Sequence, residues 1–303
     1  ARDEARRRRQ LELAEEHGVR LLRRGRRGYP ALLAEAPESP PAIFVRGEWR
    51  AEDEIAVAVV GPRLATPYGL EMTRRIAGGL ARVATVASGL AQGIDSAAHR
   101  EALRARGRTV GAAAAGLDQD YPKGSRELRE EIVASGAILS PWPPLTKPAT
   151  HLFPQRNAIL AGLCLAVVIV EASEKSGALI TARTAADFGR DVFAVPGDAT
   201  RRNSRGTNQL LREGAAVATC AEEVLEDLEG QIRPRLAALG RDGAAPPPAK
   251  PAVDLDPAGA AILALLAHEP TPYEELVRRF TPEPLELGEL TTAPLDLEIQ
   301  ALA

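Results

Sequence analysis

Short apolar runs alternate with amphipathic stretches through the middle of the chain. The runs are rich in Val, Ile, Leu and Ala, have the length of buried strands, and span residues 55–60, 83–87, 109–115, 137–140, 165–171 and 191–195. The stretches between them carry apolar residues at helical spacing and predict helices at 67–82, 94–106, 124–135, 156–163, 178–188 and 206–213. This alternation predicts an α/β fold with a Rossmann-like, doubly wound and mostly parallel sheet.

The two ends of the chain follow other patterns. Residues 6–16 have the pattern of a charged helix, and residues 43–47 that of a short strand. Residues 240–251 are rich in Gly and Pro, which is typical of a linker, and the residues beyond them have the size of a small winged-helix-like module. The predicted organisation is an N-terminal helical segment and connection (1–50), a Rossmann-like domain (51–230), a Pro/Ala-rich linker (231–253) and a winged-helix-like module (254–303).

Turns of small residues follow three of the predicted strands. They are Gly61-Pro62-Arg63, the stretch from Ser88 to Asp95, and Glu174-Lys175-Ser176-Gly177. In a doubly wound sheet such turns meet at the carboxyl edge of the strands, where helix N-termini present free N–H groups to anions. Arg63 and Lys175 add a cation to two of the turns. We therefore expect a phosphate-binding site with little catalytic equipment.

The segment from His151 to Asn157 combines an aromatic ring, a cation and an amide just before a predicted helix. Arg156 can bind two phosphate oxygens through its forked guanidinium, and Phe153 or His151 could stack on an unpaired base. A structural alternative stays open at this point. In that alternative Phe153 belongs to the core and Arg156 pairs with a carboxylate such as Glu171.

Other polar residues also have two explanations. Ser176 either contacts phosphate or is an ordinary helix N-cap, and Asp95, at a predicted helix start, is more often a capping residue than a catalytic one. Residues 206–208 lie near three arginines and form either a third pocket or a surface loop. The four histidines lack metal-ligand spacing and adjoin no nucleophile motif, so we expect no metal site.

Two common nucleotide sites are disfavoured by spacing. Gly61 has no second glycine at the GxGxxG offset, and the second strand ends in Ser88-Gly89 rather than in an acid, which argues against NAD. A GxxxxGK[ST] loop is also absent from the sequence. We therefore expect no cofactor and no hydrolysis-driven activity.

Charge is distributed unevenly although the net charge is only −3. Residues 1–27 carry ten arginines against five acids, and residues 251–303 carry two arginines against ten acids. The acidic balance argues against tight DNA binding by the C-terminal module and favours a protein-contact role.

Cys164 and Cys220 show neither a CxxC motif nor the spacing of a disulfide pair, and we expect both to be reduced. Without an apolar stretch long enough for a membrane or a secretory leader, we expect a cytoplasmic protein with no membrane partner.

Taken together, these residues resemble the DNA-processing protein A (DprA, also called Smf) family. The resemblance runs from about Tyr29 to Leu228 and rests on "YPALL", "VRG", "VVGPRLATPYG", "SGLAQGIDSAAH", "GLDQDYP", "FPQRNAILAGL", "KSGALITAR", "VFAVPG" and "GTNQLLREGA" in this order. It implies a Rossmann-like DNA-binding domain, often flanked by an N-terminal helical domain and a C-terminal winged helix. It also implies a non-enzymatic protein that binds and protects single-stranded DNA, loads RecA recombinase on it during natural transformation, and forms a homodimer.

The resemblance also implies which residues form the DNA site. Carried over motif by motif, it implies contacts by Gly61, Arg63, Ser88, Gly89, Gly93, Phe153, Arg156, Asn157, Lys175, Ser176 and Gly177. No catalytic residue is implied.

Two other classes of protein stay open. A nucleotide-processing Rossmann hydrolase of the lysine-decarboxylase-like type shares the glycine-rich turns, and its usual signature is PGGxGTxxE. Here a basic loop separates Pro196-Gly197-Asp198 from residues 206–208, and Gln209-Leu210 follow rather than a Glu, which disfavours the hydrolase. A protein-interaction scaffold is favoured if the pocket cations prove to be paired internally.

Overall fold

A computed structural model of the chain describes residues 2–240. The chain divides into two units, Ala1–Ala244 and Ala245–Ala303, and the described residues all belong to the first unit. The predicted winged-helix-like module at 254–303 and the linker residues 241–253 lie outside the described residues. Within residues 2–240, no helix is long and apolar enough to cross a membrane.

A single nine-stranded sheet forms the centre of residues 2–240. Its strands are β1 (Val19–Arg23), β2 (Ala42–Gly47), β3 (Ala56–Val60), β4 (Thr85–Ser88), β5 (Thr109–Ala112), β6 (Ala137–Ser140), β7 (Ala166–Ile169), β8 (Asp191–Ala194) and β9 (Ala216–Val217). They lie in the order β1-β2-β6-β5-β4-β3-β7-β8-β9. All neighbours from β6 to β9 pair in parallel, whereas β2 is antiparallel to both β1 and β6. The mostly parallel sheet predicted from the apolar runs is confirmed.

Helices connect the strands along the chain. They are α1 (Arg2–Glu16), α2 (Ala31–Glu35), α3 (Pro67–Leu80), α4 (Ile94–Arg104), α5 (Arg126–Ser135), α6 (Leu152–Leu163), α7 (Gly177–Asp187), α8 (Arg205–Arg212), α9 (Ala221–Asp227) and α10 (Glu229–Ala238), with 3-10 turns at Ala51–Glu54 and Arg202–Ser204.

The start of α3 shows how local sequence sets a helix boundary. Thr66 accepts a hydrogen bond from the Gly69 N–H at 3.1 Å and Pro67 occupies the first helical position, where its missing N–H costs nothing.

Both faces of the sheet are buried. Along β3, Ala56 and Ala58 pack into a core shared with α6 and α7, whereas Val57 and Val59 pack into a second core shared with α3 and α4. Alternating side chains of one strand therefore contribute to opposite cores, which is why the strand is apolar throughout rather than at every second position. The doubly wound arrangement expected from the sequence is confirmed.

Two boundaries predicted from the sequence are wrong within the described residues. Residues 1–50 are not separate from the sheet, because β1 and β2 extend it and the carbonyl of Glu48 accepts a hydrogen bond of 2.8 Å from Arg108. The linker predicted from residue 231 begins too early, since residues 229–238 form α10 and Ile232 is buried in the core. Both features depend on packing against distant parts of the chain, since β2 pairs with β6 and Ile232 joins the core, and local composition does not show such contacts.

A buried histidine makes stability depend on pH. His99 lies fully buried in α4, with Nδ1 2.7 Å from the Thr109 hydroxyl and Nε2 without a partner among residues 2–240. Burial is the main cause that lowers the pKa of His99 from 6.5 to about 3. His99 is therefore a core residue.

We expect the chain to lose about 2 kcal/mol of unfolding free energy between pH 7 and pH 5 because of His99. The unfolded state takes up a proton below pH 6.5 while folded His99 stays neutral down to about pH 3, so stability falls as pH falls through this window. Urea unfolding at the two pH values measures the change. A His99→Gln variant should show a smaller loss than the unmodified chain, and an equal loss in both would contradict the assignment.

Candidate functional site

The turns that follow β3 and β4 are in direct contact. The Ile94 N–H donates to the Pro62 carbonyl at 3.3 Å, and a Cβ added at Gly61 would lie 2.5 Å from the Ile94 side chain. Gly93 has φ +80°, and a Cβ there would overlap the carbonyl oxygens of Pro62 and Arg63. Gly61 and Gly93 therefore let the first turn pack on the start of α4. The convergence of these turns predicted from the sequence is confirmed.

The helix N-termini at this edge offer fewer free N–H groups than the sequence predicts. At α4, the Ile94 and Ser96 N–H groups already donate to the carbonyls of Pro62 and Ala91. At α3 the Gly69 N–H is capped by Thr66, and at α7 the Ala178 N–H donates to the Ser176 hydroxyl at 3.3 Å. Ser176 is thus an ordinary N-cap, the structural alternative for this residue. Affinity for an anion must come mainly from side-chain cations.

Arg63 lies over an aromatic ring at the mouth of a pocket. Its Cζ is 5.2 Å from the centroid of Phe153, whose ring meets Tyr121 edge to face at 6.0 Å. Arg63 is exposed, and both rings are half-buried. The pocket is lined by Arg63, Gly89, Leu90, Ala91, Gln92, Ala113, Ala114, Tyr121, Pro122 and Phe153. A cation on an aromatic platform suits a phosphate next to a stacked base.

Arg156 does not lie on this surface, contrary to its expected role as a phosphate ligand. Its relative exposure is 6%, its Nη1 donates to the Ala112 carbonyl at 3.2 Å, and its Nε has no partner within residues 2–240. The alternative of a pair with Glu171 is also wrong, because that carboxylate accepts hydrogen bonds from the backbone and hydroxyl of Thr66. Arg156 instead lies beneath the pocket.

A buried carboxylate accompanies Arg156. Asp95 is 5% exposed and accepts a hydrogen bond from the Ala91 N–H at 3.2 Å, and a Cβ on Gly89 would overlap Arg156 Nη1 and lie 2.7 Å from Asp95 Oδ2. Burial raises the pKa of Asp95 and lowers that of Arg156, and the attraction between the two opposes both shifts. The two charged groups therefore lie against the second turn. Asp95 does not cap α4 as expected, because the N-terminus of that helix has no side-chain cap and Asp95 accepts instead from the turn before it.

Three further predicted residues differ in accessibility. Ser88 is 0% exposed and its hydroxyl donates to the Val59 carbonyl at 2.7 Å, so it cannot contact a surface ligand as expected. Gly89 lines the pocket and is the residue that allows Arg156 and Asp95 to approach. Asn157 is half-buried in the first turns of α6, which begins at Leu152 rather than at the predicted residue 156.

The turn before α7 contributes a second exposed cation. Strand β7 is the neighbour of β3, and the Thr66–Glu171 hydrogen bonds join the turns that follow the two strands. Lys175 is exposed and has no carboxylate within 4.0 Å among residues 2–240, and a Cβ at Gly177 would meet open space. Neither residue lines the Arg63 pocket. The turn therefore extends the edge beside the pocket.

The loop before α8 is fixed by its own contacts. Asn208 forms two hydrogen bonds with the backbone of Gly197, at 3.1 Å and 2.8 Å. Arg201 and Arg205 lie within ion-pair distance of Asp198 and Glu174, at 3.6 Å and 3.7 Å. The surface-loop explanation of residues 206–208 is therefore wrong, because these residues lie in α8 and both Gly206 and Thr207 are buried.

Tyr121 is a pocket residue that the sequence reasoning missed. It follows β5 in a turn with a cis bond to Pro122, and its ring supports Phe153. The signal was available, since "GLDQDYP" follows an apolar run and the carboxyl ends of parallel strands meet at one edge. Gln92 and Lys123 lie in loops at the same edge and are exposed.

Comparisons with known proteins agree with this architecture. A family model described as DNA recombination-mediator protein A matches residues 20–229. The protein Smf of Synechocystis is 37% identical over 301 residues, covering 90% of this chain and 75% of that protein. Two solved structures are also similar. The X-ray structure of DNA processing protein A from Streptococcus pneumoniae has a TM-score of 0.68 and 36% identity, covering 72% of this chain and 77% of that chain. A Helicobacter pylori structure described as giving insights into a unique single-stranded DNA binding mode of DNA processing protein A has a TM-score of 0.63 and 28% identity, covering 71% of this chain and 97% of that chain.

Proposed function

The chain belongs to the DNA recombination-mediator protein A family, and from this premise we propose that it binds single-stranded DNA along the carboxyl edge of its sheet. Bound DNA is protected and becomes a substrate on which RecA recombinase is loaded, with the chain acting as a homodimer and without catalysis. The H. pylori relative, whose structure is described by its single-stranded DNA binding mode, supports the choice of ligand.

The observation that carries the proposal is the exposed guanidinium of Arg63 over the ring of Phe153. Arg63 has no carboxylate within 4.0 Å among residues 2–240, so its charge is available to a ligand. The pocket beneath it is lined largely by small and aromatic residues, which suits the flat face of an unpaired base. An unpaired base is accessible only in a single strand, and this supports single-stranded over duplex DNA.

Competition between single- and double-stranded oligonucleotides at several salt concentrations tests the choice of ligand. We expect an oligothymidylate to displace a labelled single strand at lower concentration than a duplex of equal length at every salt concentration. Affinity should fall as salt rises, because each phosphate contact releases counterions. Equal competition by duplex would contradict the proposal.

We expect Phe153→Leu to weaken binding of single-stranded DNA about tenfold, because leucine keeps apolar volume but removes the stacking face. The dependence of affinity on salt should not change, since no phosphate contact is lost. Fluorescence anisotropy with labelled oligothymidylate measures both quantities. Phe188→Leu is the matched control, because Phe188 is half-buried at the end of α7 and does not line the pocket. Equal affinity in both variants would argue against stacking on Phe153.

Loading of RecA is a separate part of the proposal and needs its own assay. RecA should begin ATP hydrolysis sooner on single strands covered by single-strand-binding protein when this chain is added. A chain with Arg63→Ala should shorten that lag less, because it holds the strand more weakly. If the unmodified chain leaves the lag unchanged, the proposal that it loads RecA is contradicted. The proposal that it binds single-stranded DNA is not affected by that result.

The hydrolase alternative makes an opposite prediction. Incubation with nucleoside monophosphates followed by chromatography should show no release of base. Release that disappears in the Arg63→Ala chain would favour the hydrolase and overturn the non-enzymatic proposal.

A further inference from the structure

An arginine-rich turn lies at the end of β1, far from the pocket along the sheet. Arg23, Arg24, Arg26 and Arg27 are all exposed, and Gly25 and Gly28 have φ values of +77° and +90° that close the turn. Residues 18–31 contain no acid. Within residues 2–240, none of the four arginines has a carboxylate within 4.0 Å.

Strand direction puts this turn at the same edge as the pocket. Because β1 and β6 are both antiparallel to β2, β1 runs in the direction of the parallel strands and its carboxyl end lies at their carboxyl edge. The register of the strands agrees with this placement. Phe44 of β2 pairs with Ser140, the last residue of β6, and Arg23 pairs with Ala42, which lies two residues further toward the carboxyl edge. The turn therefore projects beyond the same edge as the turns that hold Arg63 and Lys175.

The loops between the pocket and this turn also carry cations. Lys123 follows β5 and Lys147 follows β6, and both are exposed. Helix α1 adds charge at this end, because Gln10 donates to the carbonyl of Pro144 at 3.1 Å while Arg6 and Arg7 in the same helix are exposed. A polyanion leaving the pocket toward β1 would pass successive cations.

We propose that the turn at residues 23–27 is a second contact site for the phosphates of the single strand held in the pocket, so that the DNA path crosses the sheet edge from β4 to β1. This proposal rests on the proposed function. Four strand spacings separate β4 from β1, about 19 Å in all. About six nucleotides at the stacked spacing of roughly 3.4 Å would span that distance. Short and long oligonucleotides should therefore differ in their dependence on the turn.

The test compares Arg26→Ala/Arg27→Ala in the full chain with the unmodified chain, on oligothymidylates of four and of twenty nucleotides. The double variant should bind the long oligonucleotide roughly 2- to 30-fold more weakly at low salt, as expected for two exposed charge contacts. Its slope of log affinity against log salt should be shallower by about 1.4, because two phosphate contacts are lost. Binding of the short oligonucleotide should not change.

Controls separate the site from a general effect of charge. Arg82→Ala/Arg212→Ala removes two exposed arginines at the ends of helices that precede β4 and β9, at the opposite edge, and should leave the slope unchanged. Arg26→Lys/Arg27→Lys should restore most of the slope, because lysine also contacts phosphate.

The inference fails if Arg26→Ala/Arg27→Ala leaves the salt slope for the long oligonucleotide unchanged while Arg63→Ala makes that slope shallower. It also fails if the opposite-edge control lowers the slope equally. Failure of the proposed function is distinguishable, because the unmodified chain would then not bind oligothymidylate of either length.

Discussion

Gly93→Ala is expected to lower the free energy of unfolding by about 4 kcal/mol and to abolish binding of single-stranded DNA. The φ of +80° is strained for any residue with a Cβ, and that Cβ would overlap the carbonyl oxygens of Pro62 and Arg63. These are backbone atoms, so the first turn must move as a unit. Arg63 would then be displaced from Phe153, so the affinity for single-stranded DNA should be lost together with the free energy of unfolding. Urea unfolding and fluorescence anisotropy measure the two losses.

Two other glycines serve as matched controls for Gly93. Gly189 has φ +69° and open space where a Cβ would lie, so Gly189→Ala tests strain alone and should cost about 1 kcal/mol. Gly78 lies within α3 with open space, and Gly78→Ala should stabilise the chain by about 0.5–1 kcal/mol. A loss at Gly93→Ala no larger than at Gly189→Ala would contradict the contact between the two turns.

Arg156→Met is expected to lower the free energy of unfolding by about 3 kcal/mol without changing the dependence of DNA affinity on salt. Methionine fills similar volume but leaves Asp95 buried without its opposing charge. Because Arg156 lies beneath the pocket, its removal takes away no phosphate contact. Binding should weaken only as far as the second turn loses its support.

The matched variants for Arg156 separate support from direct contact. Arg63→Met should leave stability within about 0.5 kcal/mol and make the salt slope shallower by about 0.7, because Arg63 is exposed. Arg156→Met combined with Asp95→Asn should be more stable than Arg156→Met alone, since no buried charge then remains unopposed. A shallower slope and unchanged stability in Arg156→Met would show that this residue reaches the phosphates.

The sequence predicted the parallel core of the fold because burial on both faces leaves a clear signal. Strands such as β3 and β7 are apolar at every position, and the small-residue turns after them mark where each strand ends. Strand β1 was missed because it lies at the sheet edge, alternates little, and exposes Arg20 and Arg23. Only its pairing with β2 makes it a strand.

The candidate site was predicted in outline but not in the roles of its residues. Spacing identified Arg63, Gly89 and Phe153 as neighbours, since carboxyl ends of parallel strands must meet at one edge. It could not tell that Arg156 is buried, because a helix carries residues to both the surface and the core within one turn, nor that Ser88, at the end of β4, donates its hydroxyl inward to the Val59 carbonyl. The same limit hid the capping of the helix N-termini, which depends on contacts between separate turns.

The dependence of DNA affinity on salt for Arg63→Ala/Lys175→Ala tests the central claim most directly. The claim is that exposed cations at the carboxyl edge of the sheet contact the phosphates of a single strand. The double variant should give a slope of log affinity against log salt that is shallower by about 1.4 than that of the unmodified chain, while Arg82→Ala/Arg212→Ala should match the unmodified chain. Equal slopes in the unmodified chain and Arg63→Ala/Lys175→Ala would contradict the account.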